Sequence, residues 1–186
     1  MNETELYFLQ GTSVSYLTTR RETAYHTKWR NTLTNYDSTQ ATIAHIQRVR
    51  ELLVEFIVLL SDRASDHDES KLASPEKEMF DEYTPLLKSL DYGSAEYKEA
   101  LAGLGPALEH HYGHNRHHPE HHRSGVSDMT LVEVVEMFVD WKAASERHDN
   151  GSIERSLAVN QERFGFSLQL TEILWNTAVE FGWIEK

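Results

Sequence analysis

The chain has 186 residues, and its apolar and charged fractions, 39% and 26%, are those of an ordinary soluble protein. Its formal net charge of −12 opposes binding to a nucleic-acid polymer or to an anionic membrane surface, because both require a basic protein face. The absence of cysteine excludes disulfides and thiolate ligands, so any metal would be bound through nitrogen and oxygen atoms. We therefore expect a cytoplasmic protein with a small-molecule substrate, and a homo-oligomer is compatible with these properties.

The N-terminal end and the longest apolar run limit the domain organisation that the sequence allows. Residues 5–11, ELYFLQG, resemble a protease-cleavage sequence from an expression tag, so we expect residues 1–11 to be a tag-like or flexible end without function. The longest nearly apolar run, residues 52–60, is too short to span a membrane. Residues 12–186 suit a single domain with a core of useful size.

Apolar residues recur at helical spacing along almost the whole chain, and strand-like alternation is rare. The first long helix is predicted over residues 38–62. Its apolar stripe is expected to face the core and consists of Ile46, Val49, Leu53, Phe56 and Leu60. The spacing therefore predicts an all-α protein, a helical bundle of about six to eight helices.

Capping residues predict where the later helices begin. Ser74 and Thr84 each precede a proline, and Ser94 precedes a long helical segment. Thr130 opens a T-x-x-E capping box, from which a helix should extend to about residue 147. Two further helices are predicted over residues 152–164 and 167–181.

Histidine is concentrated in the stretch EHHYGHNRHHPEHH at residues 109–122. The histidines there are His110, His111, His114, His117, His118, His121 and His122. Such a tract is typical of a metal-buffering surface, of a decorated loop, or of one part of a metal site whose other ligands lie elsewhere. Polar residues on otherwise apolar helix faces help to distinguish these interpretations.

Two polar residues lie where apolar ones are expected. His45 shares a helix stripe with Val49 and Phe56, so we expect its side chain to point toward the core. A lone histidine in such a place is more often satisfied by a backbone carbonyl than by a metal. Asp140 interrupts the run LVEVVEMFVDWKAA, and a buried carboxylate requires a cation or several donors. Arg147, on the same predicted helix, is one candidate partner.

A His-Asp pair lies between these two residues, in the run ASDHDESKL. His67 and Asp68 are adjacent, and Lys71 follows three residues later. With His45 and Asp140 they form the pattern H…HD…D with an HDxxK extension, which resembles the HD superfamily of metal-dependent phosphohydrolases. The resemblance implies a helical bundle in which four side chains bind one divalent ion: His45, His67, Asp68 and Asp140.

The HD resemblance covers roughly residues 40–150, and it implies that Asp68 can bridge to a second ion. A closer likeness extends over most of the chain. The runs RASDHDESKL, YGSAEYKEAL, HHYGHNRHHPEHH and VEMFVDWKAA are similar to an uncharacterised family of bacterial and phage proteins. Because that family carries no established activity, this likeness bears on the fold more than on the substrate.

Imidazole and carboxylate ligands suit divalent Mn, Fe, Co, Ni or Zn, and we expect one or two such ions. A site with open positions lowers the pKa of a bound water to about 7, and two ions about 3.5–4 Å apart neutralise a phosphoryl group. Some HD proteins bind the second ion through histidines between the HD pair and the final Asp, the interval that the tract occupies. His111 continues the apolar stripe of its helix and His118 follows in the loop, so these two are the favoured ligands. His117 and His121 are the alternatives.

The other polar residues near the motifs are assigned by their chemistry. The residues expected to contact a substrate phosphate are Lys71, Asn115 and Arg116. The residues expected to take part in catalysis are Asp68, Glu69 and Lys71. Glu69 and Glu136 are candidate general bases, and Glu120 and Glu136 are candidates for orienting a ligand histidine.

The leading hypothesis is a metal-dependent phosphohydrolase that acts on a nucleotide or a similar small phosphate ester through a metal-activated water. An alternative on the same scaffold is an HD-fold diiron oxygenase, which the abundance of histidine also fits. A third is a non-catalytic metal-binding protein. Metal content and turnover on phosphate esters distinguish the three.

Overall fold

The computed structural model describes residues 36–90, 94–147 and 151–185. The α-helices within these ranges are α1 (Thr39–Asp66), α2 (Glu76–Ser89), α3 (Ala95–Gly103), α4 (Gly105–His114), α5 (Leu131–Ser145), α6 (Ile153–Phe164) and α7 (Leu168–Glu180). Short 3₁₀ helices lie at Glu69–Leu72, Pro119–His121 and Gly125–Asp128, and the described ranges contain no strand. The all-α prediction is therefore confirmed. None of the described helices has the length and apolarity needed to cross a bilayer.

The chain divides into two units, residues 1–50 and 51–186. In the first unit, the carboxylate of Asp37 accepts a hydrogen bond from the backbone N–H of Thr39 at 2.9 Å, where α1 begins. The predicted tag-like end, residues 1–11, lies outside the described residues. The second unit contains the remainder of α1 and all later helices.

The helix α1 extends further than predicted and does not bury its apolar stripe. None of its residues is buried, and Ile46, Val49 and Leu53 are 43%, 40% and 58% exposed. The prediction that this stripe faces the core is therefore wrong for Ile46, Val49 and Leu53, whereas Phe56 and Leu60 are half-buried. The inward orientation predicted for His45 is also wrong, because His45 is exposed. Periodicity shows which residues share a helix face, but it does not show what covers that face.

Most helices start at or next to the predicted positions, although the N-cap of α2 is Pro75 and Ser74 does not cap this helix. The hydroxyl oxygens of Ser94, Ser152 and Ser167 each accept a hydrogen bond from the backbone N–H three residues ahead. The Thr130–Glu133 capping box forms in both directions. These contacts satisfy backbone donors that the first turn of a helix leaves without partners, and they fix the starts of α3, α5, α6 and α7.

Two predicted boundaries are wrong, both of them near prolines. Pro85 does not open a helix after Thr84 but lies inside α2. It removes one backbone hydrogen bond, and the packing of α2 against α3 and α4 keeps the helix continuous. The single helix predicted from Ser94 is instead divided at Leu104, because Pro106 has no N–H and its ring would clash with the turn before it. As a result, α4 is a separate helix that carries the first histidines of the tract.

The apolar core of the second unit lies between α5, α6 and α7. Its buried residues are Val134, Met137, Phe138, Ile153, Leu157, Phe166, Leu174 and Ala178. Trp141 of α5 stacks on Phe164 at a ring-centroid distance of 6.2 Å and extends this contact. The face of α5 that packs in the core leaves a second face, with Glu136 and Asp140, free for other contacts.

We expect Leu157→Ala to destabilise the protein, because Leu157 is 1% exposed in this core. The substitution loses the transfer free energy of the buried methyl groups and leaves a cavity, so the free energy of unfolding should fall by about 2–5 kcal/mol in urea denaturation. Val159→Ala on the same helix is the matched control, because Val159 is 60% exposed and should change stability by less than about 0.5 kcal/mol. Equal losses for the two variants would contradict this packing.

Candidate metal centre

The His-Asp pair lies directly after the C-terminal end of α1. Asp68 adopts a left-handed backbone conformation, with φ 58° and ψ 14°, just before the 3₁₀ helix Glu69–Leu72. This conformation is unfavourable for most residues that carry a Cβ atom but is tolerated by aspartate, and such strain is concentrated at functional sites. The turn brings His67 and Asp68 next to side chains of α4 and α5.

The histidine tract supplies three more side chains to the same region. His111 lies in the last turn of α4 and is 1% exposed, as its position on the apolar stripe predicted. His117 is also 1% exposed, and His118 is partly buried; both lie in the loop before the 3₁₀ helix Pro119–His121. The inward face of α4 and this loop therefore place three imidazoles together.

The second face of α5 supplies the carboxylates. Glu133, Glu136 and Asp140 follow at intervals of three and four residues, the spacing of one helix face. Glu133 is engaged by Arg63 and Arg116 in addition to its capping box. Glu136 and Asp140 face the histidines, and Oε2 of Glu136 also lies 3.4 Å from Nε of Arg63.

Four residues form what we call the nitrogen-rich pocket: Asp68, His111, His117 and His118. The Nε2 atoms of His111 and His117 lie 3.2 and 3.5 Å from Oδ1 of Asp68. The Nε2 atoms of His111 and His118 lie 2.9 Å apart. Ligand atoms bonded to a tetrahedral ion at about 2.0–2.1 Å are separated by about 3.3–3.4 Å, so these distances are close to the edges of such a site.

Three residues form a second group, the oxygen-rich pocket: His67, Asp68 and Asp140. Nε2 of His67 lies 3.6 Å from Oδ2 of Asp68 and 3.7 Å from Oδ1 of Asp140. Asp68 belongs to both pockets, with Oδ1 toward the first and Oδ2 toward the second. The two pockets are therefore adjacent and share one carboxylate.

Two further carboxylates orient the imidazoles. Oε1 of Glu136 lies 3.0 Å from Nδ1 of both His67 and His117, and Oε2 of Glu76 lies 2.9 Å from Nδ1 of His111. A carboxylate only accepts hydrogen bonds, so each Nδ1 donates, and in the neutral ring each Nε2 keeps its lone pair. His67, His117 and Glu136 form a third possible ligand group, but the hydrogen bonds to Nδ1 make Glu136 the residue that orients the imidazoles of His67 and His117 for the two pockets.

Buried atoms without partners test whether a metal ion fits. Within the described ranges, Oδ1 of Asp68, Nε2 of His117 and Oε2 of Glu136 are buried and have no hydrogen-bond partner. The first two face each other at 3.5 Å in the nitrogen-rich pocket. A buried carboxylate oxygen without a donor is costly, and a cation between this oxygen and the imidazole nitrogen would satisfy both atoms. The residues present therefore fit a divalent ion.

The surroundings shift the pKa values of the imidazoles in opposite directions. Burial and two neighbouring imidazoles lower the pKa of His118 to about 3, so His118 is neutral at pH 7 and has a lone pair for a metal. Hydrogen bonding with Asp140 and Glu136 raises the pKa of His67 to about 10. The carboxylates around His67 thus strongly favour positive charge at the oxygen-rich pocket.

The carboxylates of the centre remain ionised despite their burial. Burial opposes ionisation of Asp68, but the close contact with the imidazole of His111 and the hydrogen bond from the ammonium of Lys71 hold its pKa well below the usual range. Burial likewise opposes ionisation of Glu136, yet hydrogen bonds from two imidazoles lower its pKa to about 2. Ionised carboxylates are the form that binds metal ions.

A cleft of about 370 Å³ opens beside His67 and Asp140. Its remaining wall is largely aliphatic and comes from α1 and α5, with Leu60, Ala64, Val135, Val139 and Ala143 beside Arg63 and Glu136. A larger cavity of about 450 Å³ lies along α4, but none of its lining residues belongs to either pocket. The smaller cleft is therefore the one that gives access to the candidate centre.

The structure groups three of the four ligands that the HD resemblance implies and leaves out His45. His67, Asp68 and Asp140 form the oxygen-rich pocket, whereas His45 belongs to no ligand group among the described residues. His45 belongs to the first unit of the chain, whereas His67, Asp68 and Asp140 all belong to the second.

The expected phosphate contacts have different surroundings. Nζ of Lys71 lies 2.6 Å from Oδ2 of Asp68, next to the oxygen-rich pocket. The amide of Asn115 donates to Oγ of Ser70 at 2.7 Å and to the carbonyl of His111 at 2.9 Å. The guanidinium of Arg116 contacts Glu133, as described above. These contacts engage Asn115 and Arg116 within the protein and leave Lys71 as the cation nearest to the pockets.

The remaining candidates lie outside both pockets. Glu69 is exposed, and Glu120 forms an ion pair with Arg163 at 2.7 Å. Nδ1 of His121 donates to the carbonyl of Tyr112 at 2.9 Å. The contacts of Glu120 and His121 hold the loop that carries the two ligand histidines.

Sequence reasoning missed Glu76, which is fully buried and lies 2.7 Å from Nδ1 of His110 as well as next to His111. A signal for it existed. Glu76 precedes Phe80 and Tyr83 on one face of α2, so a carboxylate lies on an otherwise apolar stripe, as it does at Asp140.

Residues 34–180, which include both pockets, match the family model described as "Family of unknown function (DUF5662)". Curated proteins and solved structures give no match. The matched residues make up well over half of the chain. The chain therefore belongs to the DUF5662 family.

Proposed function

We propose that this protein is a metal-dependent phosphohydrolase that acts on a nucleotide or a similar small phosphate ester. The observation that carries the proposal is the pair of buried atoms Asp68 Oδ1 and His117 Nε2, which face each other at 3.5 Å without hydrogen-bond partners in the described ranges. A divalent ion satisfies both atoms. The resemblance of His67, Asp68 and Asp140 to the HD pattern supports phosphate ester hydrolysis as the reaction.

The two pockets provide the ligands. The nitrogen-rich pocket offers three imidazole nitrogens and a carboxylate oxygen, and the oxygen-rich pocket offers one imidazole nitrogen and two carboxylates. Mn, Fe, Co, Ni and Zn suit these donors. When bound, such an ion lowers the pKa of a coordinated water to about 7 and stabilises negative charge on a phosphoryl group.

The side chains of the protein supply binding and orientation. Lys71 lies beside the shared carboxylate of Asp68, where its ammonium can stabilise charge on a phosphate oxygen. The largely aliphatic cleft beside Asp140 has room for the remainder of a small ester. Glu76 and Glu136 keep the ligand imidazoles in the tautomer and orientation that a metal requires. The net charge of −12 also favours a small phosphate ester over a nucleic-acid polymer.

A diiron oxygenase is the second candidate, and the three imidazoles of the nitrogen-rich pocket favour it. Imidazoles and carboxylates around two ions that share Asp68 also suit iron. Protein purified without added metal would then show a mixed-valence diiron signal in electron paramagnetic resonance and would consume oxygen. Metal binding without either activity would indicate a non-catalytic metal-binding protein.

We expect Asp68→Asn to reduce kcat/KM for phosphate ester hydrolysis by at least about a hundredfold, because both pockets lose a ligand charge. The assay is phosphate release from nucleoside mono-, tri- and cyclic phosphates with Mn, Co, Ni, Mg or Zn. His114→Ala is the matched control, because His114 lies in the same tract but is exposed on α4. Retained hydrolysis in an Asp68→Asn variant with unchanged helix content would rule out this site.

Glu136→Gln should weaken metal affinity by about 10–100-fold without removing a ligand, since Glu136 orients both His67 and His117. The measurement is competition with a chromophoric chelator. Glu146→Gln, directly after the C-terminal end of the same helix, is the control. Glu146 is 63% exposed and pairs only with Lys142 among the ion pairs described. An unchanged affinity in Glu136→Gln would argue against the orienting role.

His45→Ala should retain the metal content and the turnover of the unmodified protein, because His45 lies outside both pockets. His67→Ala provides the comparison and should lose metal from the oxygen-rich pocket. Elemental analysis after desalting measures both. A loss of metal in His45→Ala equal to that in His67→Ala would show that His45 is a ligand, as the HD resemblance implies.

A further inference from the structure

The two pockets differ in how far they are closed to solvent. In the nitrogen-rich pocket, His111 and His117 are each 1% exposed. In the oxygen-rich pocket, the side chains of His67 and Asp140 are 29% and 18% exposed, and the cleft opens beside them. An ion in the first pocket would therefore be shielded by two fully buried imidazoles, although His118 is only partly buried, whereas an ion in the second pocket can exchange through the cleft.

The donor atoms of the two pockets select different ions. Three imidazoles with one carboxylate suit Zn, Fe, Co or Ni. One imidazole with two carboxylates, and with positions open to water, suits a harder ion such as Mn or Mg. The buried Nε2 of His117, which has no hydrogen-bond partner among the described residues, points into the nitrogen-rich pocket and marks it as the one that requires an ion.

A cationic side chain already contacts the oxygen-rich pocket. Nζ of Lys71 lies 2.6 Å from Oδ2 of Asp68, the oxygen that faces His67. Oδ1 of Asp68, toward the nitrogen-rich pocket, has no such partner. A divalent ion bound through Oδ2 must approach the ammonium or displace it, and repulsion between the two cations weakens its binding.

We propose that the metal centre is asymmetric: the nitrogen-rich pocket retains one transition-metal ion, and the oxygen-rich pocket takes a second, exchangeable Mn or Mg ion in competition with Lys71. This inference rests on the metal centre of the proposed function but not on its reaction. It reverses the order that the HD resemblance implies, in which His45 helps to bind the first ion together with the residues of the oxygen-rich pocket. Without His45, that pocket has only one imidazole.

The experiment uses the full chain, stripped of metal by chelation and loaded with one equivalent of Co. We expect Co to remain bound through desalting, with an absorption spectrum typical of nitrogen ligation. His118→Ala should lose the retained Co, whereas Asp140→Asn should keep it. Release of Co from Asp140→Asn but not from His118→Ala would overturn the proposal.

The second ion is measured by Mn titration of the Co-loaded protein, with free Mn followed by electron paramagnetic resonance. Asp140→Asn should weaken Mn binding by at least about tenfold, because one of the two carboxylates becomes neutral. Lys71→Met should strengthen Mn binding by about tenfold, because the competing charge is removed. Lys77→Met is the control, because Lys77 forms an exposed pair with Asp81 on α2 and should leave Mn binding unchanged.

Unchanged or weaker Mn binding in Lys71→Met would contradict the competition between Lys71 and the second ion. Unchanged Mn binding in Asp140→Asn would contradict the assignment of the second ion to the oxygen-rich pocket. Circular dichroism of each variant excludes loss of helices as the cause. The readouts are independent of turnover. A protein that binds both ions in this order but hydrolyses no phosphate ester would refute the proposed function and leave the asymmetry intact.

Discussion

Asp68 is the residue on which both pockets depend, because its two carboxylate oxygens face different sets of partners. Oδ1 lies near His111 and His117, and Oδ2 lies near His67 and Lys71. The arrangement costs folding free energy twice: the backbone of Asp68 is left-handed, and its Oδ1 is buried without a hydrogen-bond partner in the described part of the chain. Local costs of this kind persist where the surrounding structure holds them for a function. A cation bound between Oδ1 and the imidazoles offsets the second cost directly, and this links the strained turn after α1 to metal binding.

The orientation of the imidazoles depends in turn on how the helices pack. Met137 is 1% exposed on the core face of α5, and its neighbour Glu136 lies on the adjacent face, hydrogen-bonded to His67 and His117. Packing of α5 against α6 and α7 therefore sets the position of the carboxylate that orients two ligands. Glu76 has the same role for His111, from the first turn of α2. Both carboxylates come from helices that are held by apolar contacts, so the apolar packing and the ligand geometry are not independent.

The sequence predicted the parts of the structure that depend on local chemistry. The capping residues at Ser94 and Thr130 lie where the helices begin, because a cap needs only its own turn. The association of His67 with Asp140 is also in the structure, although it came from a resemblance and not from periodicity. The inward orientation of His45 was predicted wrongly, because periodicity shows which residues share a face of α1 but not whether that face is covered.

The histidine tract performs several different structural tasks within one short stretch. His111, His117 and His118 present Nε2 atoms to the nitrogen-rich pocket, whereas His121 and His122 lie with ring nitrogens 2.9 and 2.8 Å from backbone carbonyls. A metal-buffering surface would instead expose its imidazoles, whereas His114 is the only exposed histidine among the seven of this tract, all of which the structure describes. His117 and His118 lie in a loop whose only helical segment is the short 3₁₀ helix Pro119–His121. Side chains must therefore provide hydrogen-bond partners for backbone carbonyls of this loop. Imidazole serves both needs because one ring can donate to a carbonyl and another can bind an ion. The density of histidine therefore overstates the number of candidate ligands, because some of these imidazoles hold the backbone of the loop instead.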